Sequence, residues 1–247
     1  MIHYHGLPIT PTADMLRAMR ARHMMVSYFE PRQIAEACEI GQSVVVDCGT
    51  FSAWCAGVVP DFSGYEEFVA IWIVHPAVDW VVIPDVIDGT EERNDELIAT
   101  WPFSKALSVP VFHLHESLDR LKRLIAQFPR IALGSSGQYA DPGAPSWWSR
   151  MAELMKILCD ERGMPRVKIH GLRMLDPVLF SHLPLSSADS CNVARNIGLD
   201  QAWSGTYTPR SKWARALVMM DRIEHHASAR RWDGRSAGVQ QNMELFG

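Results

Sequence analysis

The chain is poor in the features that mark the simplest functional classes. It has five cysteines in 247 residues (Cys38, Cys48, Cys55, Cys159 and Cys191) and no Cys-x-x-Cys pair among them. That argues against a zinc ribbon and a disulfide scaffold, and a reducing cytoplasm is the expected compartment. Neither Gly-x-Gly-x-x-Gly nor Gly-x-x-x-x-Gly-Lys-[Ser/Thr] occurs, which removes the usual dinucleotide and P-loop readings. The opening residues, Met1 to Pro11, lack the basic segment and long apolar run of a signal peptide, so no export is expected. The most apolar window, Phe68 to Ile87, is broken by His75, Pro76, Asp79, Pro84 and Asp85. Charges at that depth in a bilayer are costly, so the window reads as a buried helix end followed by a strand, and no membrane contact is expected. Positive charge is not in excess either: 24 Lys and Arg against 28 Asp and Glu give a formal charge of −4, without the global basic field of many nucleic-acid binders.

What is present is a composition, 47% hydrophobic and 21% charged, that can bury a full core. Short β-branched runs recur at His23 to Phe29, Ser43 to Gly49, Asp79 to Asp85, Val109 to His115, Arg130 to Gly137 and Arg166 to Leu172, with a weaker seventh at Leu183 to Ser190. Between them lie amphipathic segments such as Glu116 to Phe128 and Ser146 to Gly163, apolar at spacings of three and four. Six or seven β/α units follow, with no internal repeat or low-complexity linker. The expected fold is α/β, a single-domain (β/α)8 TIM barrel over residues 1–247, with a basic helical segment at about 209–235. An open doubly wound sheet is the structural alternative.

Barrel enzymes build their sites at the carboxyl ends of the strands, and here nearly every strand ends on a polar residue. These are Asp47, Asp85, His113 and His115, Ser135 and Ser136 of the Leu-Gly-Ser-Ser-Gly run, His170, and Asp189. A lone carboxylate after a strand is most often a helix N-cap; three in one set, with histidines and a small-residue turn, point to chemistry. His3-x-His5 and His113-x-His115 place two imidazoles on one strand face, the spacing a metal-binding barrel needs, although such histidines also serve as hydrogen-bonded core residues.

Asp47-Cys48-Gly49-Thr50-Phe51 resembles the Asp-Ser-Gly-Gly-Phe segment of the tRNA-guanine transglycosylases. Other stations follow in the same order. Asp85 resembles that family's base-recognising aspartate, Ala132 to Gly137 its Ala-Leu-Gly-Gly segment, and His170-Gly171-Leu172 falls at its Met-Gly-Val-Gly-like strand end. Asp189 to Arg195 is similar to the nucleophile segment, an aspartate followed six residues later by arginine. His115 stands where the family carries a base-contacting glutamine. No cysteine follows Arg195, so the family's late zinc site has no counterpart in this sequence. The chain therefore resembles most the short, zinc-free DNA 7-deazaguanine transglycosylases of phages and bacteria.

The resemblance implies exchange of guanine for a 7-deazaguanine base in DNA through a covalent aspartyl-glycosyl intermediate, in a bacterial or phage-infected cytoplasm, without metal or cofactor. Asp189 is then the nucleophile and Asp47 the general acid and base. Asp85, Phe51, Gly49, His115, Gly134, Ser135, Ser136, His170, Gly171 and Arg195 bind the substrate. A flipped base needs an apolar platform, and Phe51, Trp54 and Tyr139 are candidates, with core packing as the plain alternative. Arg210, Lys212, Arg215, Arg222, Arg230, Arg231 and Arg235 are the expected nucleic-acid contacts, against Asp221, Glu224 and Asp233 in the same stretch, and Arg17, Arg20, Arg22 and Arg32 extend the patch. Three alternatives stay open at this point. One is a tRNA-modifying enzyme of the same family. Another is a metal-dependent barrel hydrolase using His3, His5, His113, His115 or His170 with Asp189. The third is a noncatalytic nucleic-acid-binding subunit. Under any of these the chain can pair as a homodimer.

Overall fold

The structure is a computed structural model that describes residues 1–198, 203, 205 and 207–234. Its strands are β1 (Ile2–Gly6), β2 (His23–Ser27), β3 (Ser43–Asp47), β4 (Val78–Val82), β5 (Ser108–Val109), β6 (Val111–His113), β7 (Arg130–Gly134), β8 (Lys168–Gly171) and β9 (Ser187–Ser190). All pair in parallel, in the order β5-β4-β3-β2-β1-β9-β8-β7-β6. The two ends of that sheet are one strand, because β5 and β6 are separated only by Pro110. Proline cannot donate to a ladder, and the strand changes partner there: Ile83 N donates to Val109 O on one side and Ala132 N to Pro110 O on the other. Counted this way the sheet closes into an eight-stranded parallel barrel, the expected fold.

Each strand is followed by at least one helix. In order these are α1 (Thr12–Ala18), α2 (Ile34–Ile40), α3 (Thr50–Ala56), α4 (Phe62–Trp72), α5 (Glu91–Thr100), α6 (Leu118–Gln127), α7 (Pro145–Leu158), α8 (Pro177–Phe180), α9 (Asn192–Asn196) and α10 (Lys212–Glu224). Local chemistry sets their boundaries. Ser117 caps α6 by accepting from Arg120 N, Asp61 caps α4 by accepting from Gly64 N, and α7 starts on Pro145, whose missing N–H costs nothing at that position. Leu121 and Leu124 of α6 and Met151, Leu154, Met155 and Leu158 of α7 are buried, as their three- and four-residue spacing requires. The apolar window at Phe68 to Ile87 resolves into the end of α4 followed by β4. Among the described residues no helix is long and apolar enough to cross a membrane.

The strand not among the apolar runs of the sequence is β1, marked there only by the alternate spacing of His3 and His5. Ile-His-Tyr-His is too polar to read as a core strand, yet His5 and Tyr4 are fully buried. Alternation explains both. Tyr4 points into the barrel, where it meets Trp80 and His170 with ring centroids 5.8 and 6.1 Å away. His3 and His5 point outward: His5 Nε2 lies 2.8 Å from Glu224 Oε1 of α10, and His3 Nε2 lies 3.1 Å from the His226 carbonyl. A register shift between β3 and β4 pairs Val44 with Val78 and Val45 with Trp80, leaving Asp79 as an extra residue. Asp79 accepts a hydrogen bond from the Tyr4 hydroxyl at 2.9 Å, and the Arg130 guanidinium covers Trp80 at 5.0 Å. The centre of the barrel is therefore filled by Tyr4, Trp80 and His170.

Candidate active site

At the carboxyl ends of the strands lies a cavity of about 670 Å³. Asp47, Asp85 and Asp189 all line it, together with Gly134, Ser135, Phe51 and Arg195 of the expected site. Asp47 ends β3, where Ser27 Oγ donates to its Oδ2 at 3.2 Å and Gly49 N donates to the same atom at 2.9 Å. Gly49 has φ +80°, and a side chain there would place Cβ 2.7 Å from Phe29 N. The sharp turn that returns an N–H to Asp47 thus requires glycine. Burial, and after it the negative charges of Asp189 and Asp85, push the Asp47 carboxyl up to about 7.

Asp189 is buried in β9 and is also held by one oxygen. His170 Nε2 lies 3.2 Å from Oδ1, and the backbone N–H of Arg173 donates to the same atom at 3.0 Å. Asp85 differs, because both of its oxygens are engaged. Cys48 Sγ donates to Oδ1 at 3.2 Å, and His113 Nε2 sits 2.9 Å from Oδ2, within ion-pair reach but off the direction of a good hydrogen bond. Burial works against charge on His113, but the contact with Asp85, and then Glu116, outweighs it and raises its pKa. Glu116 anchors the end of β6 from behind. Buried beside Arg120, it accepts from His113 N at 2.8 Å and from Asn94 at 3.0 Å.

The remaining expected residues separate into three groups. His170, Gly171, His115, Ser136 and Gly49 stand behind the cavity lining. His115 Nδ1 pairs with Ser136 Oγ at 2.7 Å, a side Cβ on Gly171 would collide with Met174, and Ser135 accepts from Trp147 Nε1 at 2.9 Å while facing the cavity. Of the stacking candidates only Phe51 lines the cavity. Trp54 bonds to Asp88, and Tyr139 lies under the Arg150 guanidinium. The basic residues do not form one patch. Arg215 is buried and donates to the carbonyls of Ile197, Pro209 and Arg210, so it is a structural residue and not a surface contact. Arg22, placed in the same patch by sequence, is paired with Glu224 and Asp221. Arg230 lies beside Met1, Pro129 and Lys168 at the amino ends of the strands, and adjacent Arg231 precedes Trp232, whose N–H reaches Gly163; both are at the opposite end from the cavity. Arg210 and Arg222 are exposed, Arg222 over the Trp203 ring, and Lys212 donates to the Thr10 carbonyl. Arg235 lies outside the described residues.

Sequence reasoning missed Arg173 and Cys191. The Arg173 guanidinium lies 3.5 Å from the centre of the Phe51 ring and borders the cavity, while its N–H holds Asp189. The rule that found His170, a polar residue near the end of a strand, also reaches Arg173 if extended past β8. Cys191, two residues beyond Asp189, lines the cavity beside Gly6, where an added Cβ would sit 2.5 Å from its sulfur. Among the described residues no group of three or more His, Cys, Asp or Glu side chains is arranged to hold a metal ion, and the two HxH pairs lie on strands facing different surroundings. No family model matches the chain, and no curated protein or solved structure is significantly similar to it.

Proposed function

We propose that this barrel is a base-exchanging transglycosylase that removes guanine from DNA and inserts a 7-deazaguanine base. The observation that carries the reading is the convergence of three aspartates from three strands on one cavity, with Asp47 pushed up to about 7 by its surroundings. A group poised near neutral pH is suited to giving and taking the same proton.

Asp189 attacks the sugar C1′ with its Oδ2 atom as the bond to guanine N9 breaks through an oxocarbenium-like transition state, leaving the sugar on the carboxylate. The electron pair of that bond goes to the base, which takes a proton from Asp47. The incoming 7-deazaguanine gives its N9 proton back to Asp47, and its N9 attacks C1′ and releases Asp189. Two inversions restore the starting configuration. Asp85 accepts from the base N1–H and 2-amino group; its two engaged oxygens each keep a lone pair for this. The target base must leave the duplex stack to reach a cavity of this kind, and the Phe51 ring with the Arg173 guanidinium 3.5 Å over it is the surface against which it stacks. DNA as the polymer follows the branch of the resembled family to which the sequence is most similar.

The test is to incubate the protein with DNA or tRNA labelled in guanine, together with 7-deazaguanine bases. Release of label from DNA is expected. Release from tRNA alone would reassign the polymer, and release from neither would overturn the reading.

A further inference from the structure

The geometry points to His170 as a positioning residue that fixes which oxygen of Asp189 reacts; this rests on the reading of Asp189 as the nucleophile. His170 is fully buried and absent from the cavity lining, so it acts through Asp189 and not on a substrate. It pairs in register with Ser187 on the neighbouring strand, and both side chains face the barrel interior along with Asp189. Its Nδ1 lies 2.8 Å from Ser187 Oγ and its Nε2 lies 3.2 Å from Asp189 Oδ1. The ring has little room to turn, with Trp80 packed edge-on at 4.8 Å and Tyr4 at 6.1 Å.

A carboxylate only accepts hydrogen bonds, so Nε2 carries the proton that faces Asp189, and the Ser187 hydroxyl donates to Nδ1. The aspartate therefore selects the tautomer, and the serine hydroxyl, able to donate or accept, completes it by donating to the bare Nδ1 and anchoring the ring. A carboxylate otherwise turns freely about its last torsion, whose energy profile is broad. Here two donors, His170 Nε2–H and the Arg173 N–H, converge on Oδ1, and among the described residues no hydrogen bond reaches Oδ2. The free oxygen is thus presented in one direction before any sugar arrives, which is the condition under which placement accelerates a reaction.

The test uses the full chain and three variants. His170→Leu removes the donor, His170→Gln keeps an N–H close to the Nε2 position, and Ser187→Ala removes the hydrogen-bond partner that anchors Nδ1. The single-turnover rate of guanine release is expected to fall about 100-fold in His170→Leu, with DNA affinity unchanged within about twofold, and to recover about tenfold in His170→Gln. Ser187→Ala is expected to lose about tenfold in the same rate. Equal rates in His170→Leu and the parent, or a His170→Gln rate no better than His170→Leu, would overturn the assignment. A second measurement needs no turnover: the imidazole 15N shifts of His170 in the free protein. They are expected to show the Nε2–H tautomer and to move in Asp189→Ala and Ser187→Ala. An Nδ1–H tautomer, or shifts blind to both changes, would overturn the positioning role even if base exchange is observed. Shifts as expected with no exchange would instead keep the tether and refute the transglycosylase reading.

Discussion

His113 Nε2 lies 2.9 Å from Asp85 Oδ2 within the same cavity that Asp47 and Asp189 line. The contact holds the imidazole pKa above its ordinary 6.5, and the charge of Asp85 also helps to raise Asp47. Removing one carboxylate therefore moves two other titrations. In Asp85→Asn the His113 pKa is expected to fall, and the Asp47 pKa to fall with it; both are readable by NMR titration. The stabilisation from His113 is fully present below the unfolded value near 6.5 and is lost as pH rises through the raised folded value. The balance should accordingly favour the parent most just below pH 6.5 and turn toward the variant as pH rises, because the His113 contribution is lost there and the lowered Asp47 pKa relieves that group's own decline.

Asp47 titrates with the opposite consequence for charge. Its folded value near 7 exceeds the ordinary 3.8, so the folded state holds its proton more tightly, and stability declines as pH rises from about 3.8 through about 7. Asp47→Asn escapes that decline. It is expected to match the parent in thermal unfolding at pH 4 and to melt higher at pH 8, while losing base exchange by 100-fold or more, roughly the range of a lost general acid.

Gly49→Ala tests the turn that aims Asp47. The φ of +80° and the 2.7 Å approach to Phe29 N both oppose a side chain. A cost of about 1–3 kcal/mol in urea unfolding is expected, with a loss of exchange exceeding what the lost stability explains. A variant as stable and as active as the parent would contradict the role given to this glycine.

Arg215 and Arg230 separate charge from position. Arg215→Ala is expected to destabilise the fold by about 3 kcal/mol or more, since it leaves three carbonyls without their donor. Arg230→Ala, at the far end of the barrel, is expected to leave both stability and the salt dependence of DNA binding unchanged. A reduced salt slope in Arg230→Ala would show that nucleic acid reaches that end.

The contrast between these arginines marks what a sequence discloses. Asp47 and Asp85 were legible because each follows an apolar β-branched run, Asp189 less so because Leu183 to Ala188 holds no β-branched residue, and in a parallel barrel the carboxyl end of every strand opens on the same face. β1 was hidden because Tyr4 fills an aromatic barrel centre and His5 answers Glu224 on α10, so neither interior nor exterior position is apolar. Arg215 counted as surface charge in the sequence, whereas its carbonyl partners come from the end of α9 and the approach to α10, a meeting that only the folded chain creates. The Glu116–Arg120 pair behind His113 was missed for the same reason: at a spacing of four it reads as an exposed helix pair, and both side chains are 1% exposed.

The most direct measurement is to identify the covalent species. The protein is incubated with DNA and without an incoming base, denatured, and the DNA-bearing peptide is mapped by mass spectrometry. Attachment of the sugar to Asp189 is expected, absent in Asp189→Asn and discharged by adding a 7-deazaguanine base. An adduct on another residue, or full exchange by Asp189→Asn, would contradict the assignment of Asp189 as the nucleophile.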